Sequence, residues 1–484
     1  MSKTRIAGHA LPALLIAAVL APAPQATAAP IRYQAETATI SQGVVESNHA
    51  GFTGTGFVNA DNVTGSYVQW SVPVGTAGTA TLSFRFANGT TANRPADITV
   101  NGTLVSDELS FGGTGAWSTW QTRVITVQLA AGTNTIRATS TTAAGMANLD
   151  ALDVDTAPAP VRGTPQTPSD VTTGLALPWA MSFLPDGQSA LVTERDSFRV
   201  SRVTLSGTRT LVGTVPNTIT TGGEGGLMGV AVSPTWNGTT DQAVYFFHTS
   251  NDNGQNQNRI VRMNFNGSSL SGRTVIVSGI TSAQYHNGGQ LKFGPDGYLY
   301  ATTGDAQNTA LAQNTNSPNG KILRFTTSGQ PAPGNPWGNL VYSRGHRNPQ
   351  GLAWDSAGRL WSSELGNTAL DELNLIISGR NYGWPTCEGP CNVAGMENPK
   401  RTWTTAEASP SSLAIVNDTA YVAALRGQRL WRVELNGDSA GATQAYFQGT
   451  FGRLRSVVKV PNQNTIWIST SNTSNDRIIR SEIR

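Results

Sequence analysis

Charge and cysteine are what this 484-residue chain has least of. Only 13% of the residues are charged, the formal net charge is +3, and no dense stripe of Lys or Arg occurs. Nucleic-acid partners demand a concentrated basic footprint, so none is expected. The two cysteines, Cys387 and Cys391, stand four residues apart. That is too few for a disulfide framework and offers too few ligands for a zinc site. In an oxidising compartment they close a local disulfide loop. Long apolar runs are missing as well. The run from Ala10 to Ala21 is too short to span a bilayer comfortably. It follows Lys3 and Arg5 and precedes Ala26-Thr27-Ala28, the pattern of a secretory leader. Residues 1–28 are therefore expected to be a signal peptide, and the remainder an exported protein with no membrane span.

What the chain has in quantity is glycine, 52 residues, with Thr, Val and Asn recurring throughout. That balance suits short strands and tight turns, not long helices. The stretch from Thr156 to Pro168 (TAPAPVRGTPQTP) has no periodicity and divides the chain. The expected plan is all-β: a β-sandwich module over 29–155, a linker over 156–172, and a larger domain over 173–484. In the first part Ala80 to Phe86 and Asp97 to Val100 alternate apolar and polar residues, and Asn101-Gly102 signals a hairpin.

The larger part repeats one pattern six times: an apolar strand, a turn containing Asp, Asn or Gly, then a second strand. The copies begin at Ser182, Gly229, Leu291, Leu352, Leu413 and Val457, roughly 44 to 62 residues apart. A third strand usually follows, as in Arg259 to Met263 or Lys321 to Phe325. Such a sheet cannot cover its own apolar faces, whereas a closed ring of them can. Six copies predict a six-bladed β-propeller.

Two resemblances add to this reading. Tyr33-Gln34-Ala35-Glu36, Gly65 to Trp70, Trp117-Ser118-Thr119-Trp120 and Asn148 to Asp153 together resemble family 35/6 carbohydrate-binding modules. The resemblance implies a structural Ca²⁺ held by Gln34, Glu36 and Asp153, and sugar contact by Trp117 or Trp120 with Asn148. Residues two apart on a strand share a face, and oxygen ligands suit Ca²⁺. Both tryptophans are equally able to be core residues.

In the larger part Gly223 to Gly229, His286-Asn287-Gly288-Gly289, Thr303-Gly304-Asp305, Gly345 to Gly351, Asp371 to Asn374, Asn381 to Pro385 and Gly452 to Arg455 occur in order. This set resembles the soluble PQQ-dependent glucose/sorbosone dehydrogenases. It implies His286 as catalytic base, Asp305 as the carboxylate that orients it, and Arg347 beside the reactive quinone oxygen. A near-neutral imidazole suits removal of a hydroxyl proton as hydride departs. A guanidinium stabilises the negative charge growing on the quinone. PQQ carries three carboxylates, and Glu224, Asn348, Arg426, Arg453 and Arg455 occupy the positions of its contacts. Ca²⁺ is implied at backbone carbonyls near Gly366 and Asn367, and at Asp371, Glu372 and the Tyr382 carbonyl.

Three departures stand out: Glu224 replaces a Gln, Leu365 a polar residue, and Glu407 to Pro410 a Trp/Thr segment. They fit the broader pyranose/sorbosone branch better than the glucose enzymes. The implied activity is oxidation of an aldose at C1, with electrons passed to an external acceptor and the module holding the enzyme on polysaccharide. The competing readings are a non-catalytic propeller that binds carbohydrate or protein, and a calcium-dependent propeller hydrolase. The basic loop set suits the latter poorly.

Overall fold

The computed structural model describes residues 30–75, 77–156, 162–473 and 475–484. The expected leader at 1–28 and positions 157–161 of the expected linker lie outside the described residues. The chain divides into two compact units, Met1–Ala159 and Pro160–Arg484.

The first unit is a sandwich of two antiparallel sheets. Tyr67–Val74, Gly78–Ala87, Ala96–Val100 and Gly132–Ser140 alternate exposure and burial along their length. Period-two alternation sends every second side chain inward. Trp70, Leu82, Phe84, Ile98 and Ile136 thereby meet in one apolar core. The expected hairpin forms at Asn101-Gly102, which joins the paired Val100 and Thr103. Both turn residues have positive φ (51° and 80°), the geometry that favours Asn-Gly.

The second unit is propeller-like. Among the described residues it holds six four-stranded antiparallel sheets, five of them built from consecutive strands. The sixth is made of Leu454–Lys459, Thr465–Thr470 and Asp476–Glu482, and its fourth strand is Ser169–Leu175 from the start of the unit. That strand lies partly within the stretch expected as linker. Its polar Ser-Asp-Val-Thr-Thr pattern suits an outer strand with a wet face, which composition alone does not distinguish from a connection. The preceding residues also pair with the C-terminus: Thr164 N donates to Arg484 O, Arg484 N to Thr164 O (3.1 Å) and Gln166 N to Glu482 O (2.8 Å).

Neighbouring sheets pack through apolar clusters. Trp361, Leu373, Leu413 and Val433 join the fourth and fifth sheets. Leu175, Met181, Val192 and Trp467 join the sixth to the first. Burying these faces is the main force holding the unit together. No helix among the described residues is long and apolar enough to cross a membrane.

Candidate active site

In an antiparallel pair, the start of the first strand lies beside the end of the second. The chemistry-bearing residues occupy these two positions in sheet after sheet. Arg195 follows Ser189–Glu194, and Glu224 precedes Leu227–Val232. His286 precedes Leu291–Phe293, and Asp305 follows Leu299–Thr303. Arg347 and Asn348 precede Pro349–Trp354, Arg426 follows Thr419–Ala424, and Arg455 lies at the start of Leu454–Lys459.

His286 Nδ1 lies 2.7 Å from Asp305 Oδ1. The Asp305 side chain is fully buried, while that of His286 keeps 17% of its surface exposed. A carboxylate accepts, so the ring donates from Nδ1, the arrangement that in a neutral imidazole places the lone pair on Nε2. Asp305 is itself held by the Gln307 N–H (2.8 Å) and by the Trp384 indole N–H (2.8 Å). His286 has φ +61°, and its backbone N donates to Glu224 Oε2 at 2.9 Å. Gly304 permits the approach of the two loops: a Cβ there would meet His286 O at 2.0 Å.

Glu224 is therefore not a loose charge. Its Oε2 also accepts from Asn348 Nδ2 (3.0 Å), while Asn348 Oδ1 accepts from Gly288 N (3.0 Å). One buried Asn thus ties the Glu224 and His286 loops together. Arg347 donates through Nη2 to Asn367 Oδ1 (3.1 Å) and stands 5.4 Å from the Trp384 ring centroid. Burial lowers its guanidinium from the ordinary value, opposed by Asp305, Glu364 and Glu224.

A cavity of about 340 Å³ is lined by Glu224, Tyr285, Leu365, Ser409 and four arginines: Arg195, Arg426, Arg453 and Arg455. Leu365 and Ser409 belong to the segments that depart from the glucose enzymes. Arg455 is buried; it donates to Gln350 Oε1 (2.5 Å), and its guanidinium stands 5.3 Å from the Trp179 ring centroid. Burial pulls its pKa down to about 9; Glu224 opposes the shift, and repulsion from Arg195 and Arg453 adds to it. Arg453 is lowered by burial and then by Arg195. Crowded, desolvated cations of this kind are relieved by a polyanionic guest, so the cavity fits a tricarboxylate. Arg195 was not singled out from the sequence, because it sits in an unremarkable Glu-Arg-Asp turn and pairs with Asp196 at 2.6 Å.

The expected metal ligands fare differently. Asp371 and Glu372 alternate across a strand and do not converge. Asp371 accepts from Gly366 N (2.8 Å) and Ser409 N (2.6 Å), whereas Glu372 accepts from Gly389 N (2.7 Å) and Asn374 Nδ2 (2.9 Å). Tyr382 turns its hydroxyl to Leu375 O and Ile377 N. The Asp371 and Glu372 carboxylates thus do not converge on one point, the Tyr382 hydroxyl bonds do not bear on its carbonyl, and among the described residues no cluster of three or more His, Cys, Asp or Glu is placed to hold an ion.

Burial, and then Glu364, push the Glu372 carboxyl up to about 8. A folded pKa above the unfolded one makes stability greatest at low pH and lost as pH rises. In chelator, the Tm advantage of Glu372→Gln over wild type is expected to grow from pH 5 to pH 8. A difference that stays flat with pH would refute this.

In the first unit Asp153 is taken by Arg32, which grips it at 2.6 and 2.7 Å. The strand register explains this: Arg32 lies opposite Asp153, while Gln34 lies opposite Ala151. Asp150 instead comes near Gln34: the Thr53 hydroxyl lies 3.0 Å from Asp150 Oδ2 and 3.1 Å from Gln34 Oε1, and Asp150 also pairs with Arg85. Glu36 stands across Gly54 from Gln34, and its Oε2 is buried without a partner. Such an orphaned oxygen fits a hard cation.

Trp117 and Trp120 are both half-buried. Trp117 stacks on His49 with Arg94 above it, and Trp120 donates to Ala50 O (3.0 Å) beneath Arg85. Asn148 is buried, and its Oδ1 has no partner.

Six four-stranded sheets, with a His–Asp pair beside an arginine-lined cavity, define a propeller-like domain equipped for proton transfer next to a polyanion. The chain belongs to the glucose/sorbosone dehydrogenase family, whose family model matches residues 175–480. The carbohydrate-binding module family 6 model matches residues 34–156. The second unit resembles the PQQ-bound aldose sugar dehydrogenase from Streptomyces coelicolor. The identity is 43%, the TM-score 0.63, and the match covers 67% of this chain and 99% of that one. Quinoprotein glucose dehydrogenase B of Acinetobacter calcoaceticus is 34% identical over 47% of this chain and 53% of its own length. The first unit is 56% identical to part of the exo-β-D-glucosaminidase of Amycolatopsis orientalis, over 25% of this chain and 12% of that protein. The chain thus spans less than two thirds of either of these two curated relatives.

Proposed function

We propose that this chain is a secreted, PQQ- and calcium-dependent dehydrogenase that oxidises an aldose or related pyranose at C1. The observation that carries the reading is the His286–Asp305 pair beside a cavity lined by four arginines. The six sheets close as a six-bladed propeller in this reading, supported by apolar packing between the sixth sheet and the first.

Arg195, Arg426, Arg453 and Arg455 would hold the cofactor's carboxylates. PQQ, when bound, supplies the two-electron acceptor for hydride. His286 Nε2 takes the anomeric hydroxyl proton as hydride leaves C1, so that no isolated positive centre forms on carbon. Asp305 keeps the ring in the Nδ1–H form and stabilises the imidazolium that results. Arg347 stands where negative charge develops. Tyr285, 44% exposed and lining the cavity, gives the sugar an apolar face to lie on.

The Gln34–Glu36–Asp150 cluster would hold the module's calcium, and the Gly366–Asn367 loop a second ion through its carbonyls. Trp117, Trp120 and Asn148 would contact the glycan. Electrons would leave to an external acceptor.

The test is dye reduction by the full chain loaded with PQQ and Ca²⁺, across a panel of aldoses and oligosaccharides. Turnover that requires PQQ is expected, with a primary isotope effect from C1-deuterated sugar. PQQ that fails to bind, or that binds without any sugar being oxidised, would refute the dehydrogenase reading.

A further inference from the structure

The loop from Asn381 to Cys391 carries a carboxylate that none of the steps above employs. Glu388 Oε1 accepts from four successive backbone N–H groups: Asn367 (2.7 Å), Thr368 (2.9 Å), Ala369 (2.8 Å) and Leu370 (3.1 Å). Successive amides that converge in this way make an anion nest. Here the chain fills the nest with its own side chain. Burial alone would raise the Glu388 carboxyl, but the four amides outweigh it and hold it below the usual range.

The nest matters because of what its first residue does. Asn367 Oδ1 receives Arg347 Nη2, while Arg347 Nη1 reaches only Leu365 O at 3.4 Å and Nε is buried without a partner. Among the described residues the guanidinium's hydrogen bonds thus come from the Leu365–Asn367 segment, with the Trp384 ring centroid 5.4 Å away. That segment is exposed at 367–369 and has no apolar anchor of its own there. Its shape is set by the carboxylate: a Cβ on Gly366 would lie 2.8 Å from Glu388 Oε1 and 1.9 Å from Leu370 O.

Glu388 is in turn fixed from both sides. The Cys387–Cys391 disulfide closes the loop around it, Cys387 N donates to Gly383 O (3.0 Å), and Gly389 N donates to Glu372 Oε1 (2.7 Å). The same loop supplies the Trp384 N–H to Asp305.

We propose that Glu388 is a positioning residue for Arg347. Its carboxylate, held by the closed loop, sets the Asn367–Leu370 segment from which Asn367 orients the guanidinium. The role rests on the dehydrogenase reading above, so the experiment separates the two. Full-length wild type, Glu388→Ala and Glu388→Gln are loaded with PQQ and Ca²⁺ and compared in kcat, KM, PQQ affinity and C1-deuterium isotope effect. Amide exchange at 367–370 is followed alongside.

Glu388→Ala is expected to lose about 10- to 100-fold in kcat, because a misplaced charge at the reacting centre costs on that order. With Ca²⁺ held saturating for each variant by prior titration, KM and PQQ affinity are expected to stay within about 3-fold, since the four cavity arginines lie outside the clasp. A kcat loss that extra Ca²⁺ restores would assign Glu388 to the ion site and overturn the positioning role. The isotope effect should rise as hydride transfer becomes slower, and exchange should speed up at those four amides. Glu388→Gln keeps an acceptor oxygen in place and should recover part of the rate. It also serves as the informative variant if Glu388→Ala does not fold. An active wild type with unchanged kcat in both variants would overturn the positioning role alone. A kcat loss matched by an equal loss of PQQ affinity, or without faster exchange at 367–370, would overturn it too. A wild type that oxidises no sugar would sink the dehydrogenase reading, and the role with it.

Discussion

His286→Ala is expected to lower sugar oxidation by roughly 10²- to 10⁴-fold, the usual contribution of a positioned general base, while PQQ still binds. The asymmetry follows from the geometry. His286 follows the cavity-lining Tyr285, keeps part of its side chain exposed, and commits Nδ1 to Asp305 at 2.7 Å. Removing the ring leaves the four cavity arginines and the Asn348–Glu224 bond in place. Steady-state kcat and PQQ titration on the same preparation separate the two effects. If kcat survives the substitution, His286 is not the base. If PQQ binding collapses with it, the ring has a packing role instead. Asp305→Asn should fall between variant and wild type, because an amide can still contact Nδ1 but cannot stabilise the imidazolium as a carboxylate does.

Arg455→Met is expected to weaken PQQ binding by about 10- to 150-fold, corresponding to roughly 1.5–3 kcal/mol for a hydrogen bond to a charged group. Of the four arginines Arg455 is the one with a deeply buried guanidinium, and burial together with its cationic neighbours already depresses its pKa to about 9. An anionic guest recovers that cost, so the loss should show in affinity more than in kcat at saturating cofactor. Arg426, exposed at the cavity rim, should matter less. Fluorescence titration with PQQ checks both variants. An Arg455→Met protein that binds PQQ as wild type does would assign the guanidinium to packing against Trp179 and Gln350.

Much of the architecture was legible because it repeats. Period-two alternation marked the sandwich strands, Asn101-Gly102 marked its hairpin, and six strand–turn–strand copies coincide with six four-stranded sheets. The site was legible where residue type is rare for its setting. Histidine and arginine in Gly-rich loops of a chain poor in charge drew attention to His286, Arg347 and Arg453, and the structure gathers these loops at one end of the sheets.

What the sequence determined by itself was local: which segments alternate, where turns fall, and which loops carry groups able to move a proton or grip an anion. Local patterns follow from backbone geometry and side-chain periodicity, which act over a few residues. The tertiary structure decided which distant residues meet. Strand register sends Asp153 to Arg32 and leaves Asp150 near Gln34. Strand alternation parts Asp371 from Glu372, and the sixth sheet recruits Ser169–Leu175 as its outer strand. Arg195 joins the cavity, Trp384 reaches Asp305, and Glu388 fills the amide nest across separations that no sequence window spans. Each of these pairings is selected by burial and hydrogen-bond satisfaction over the whole fold, terms that exist only once the sheets have packed.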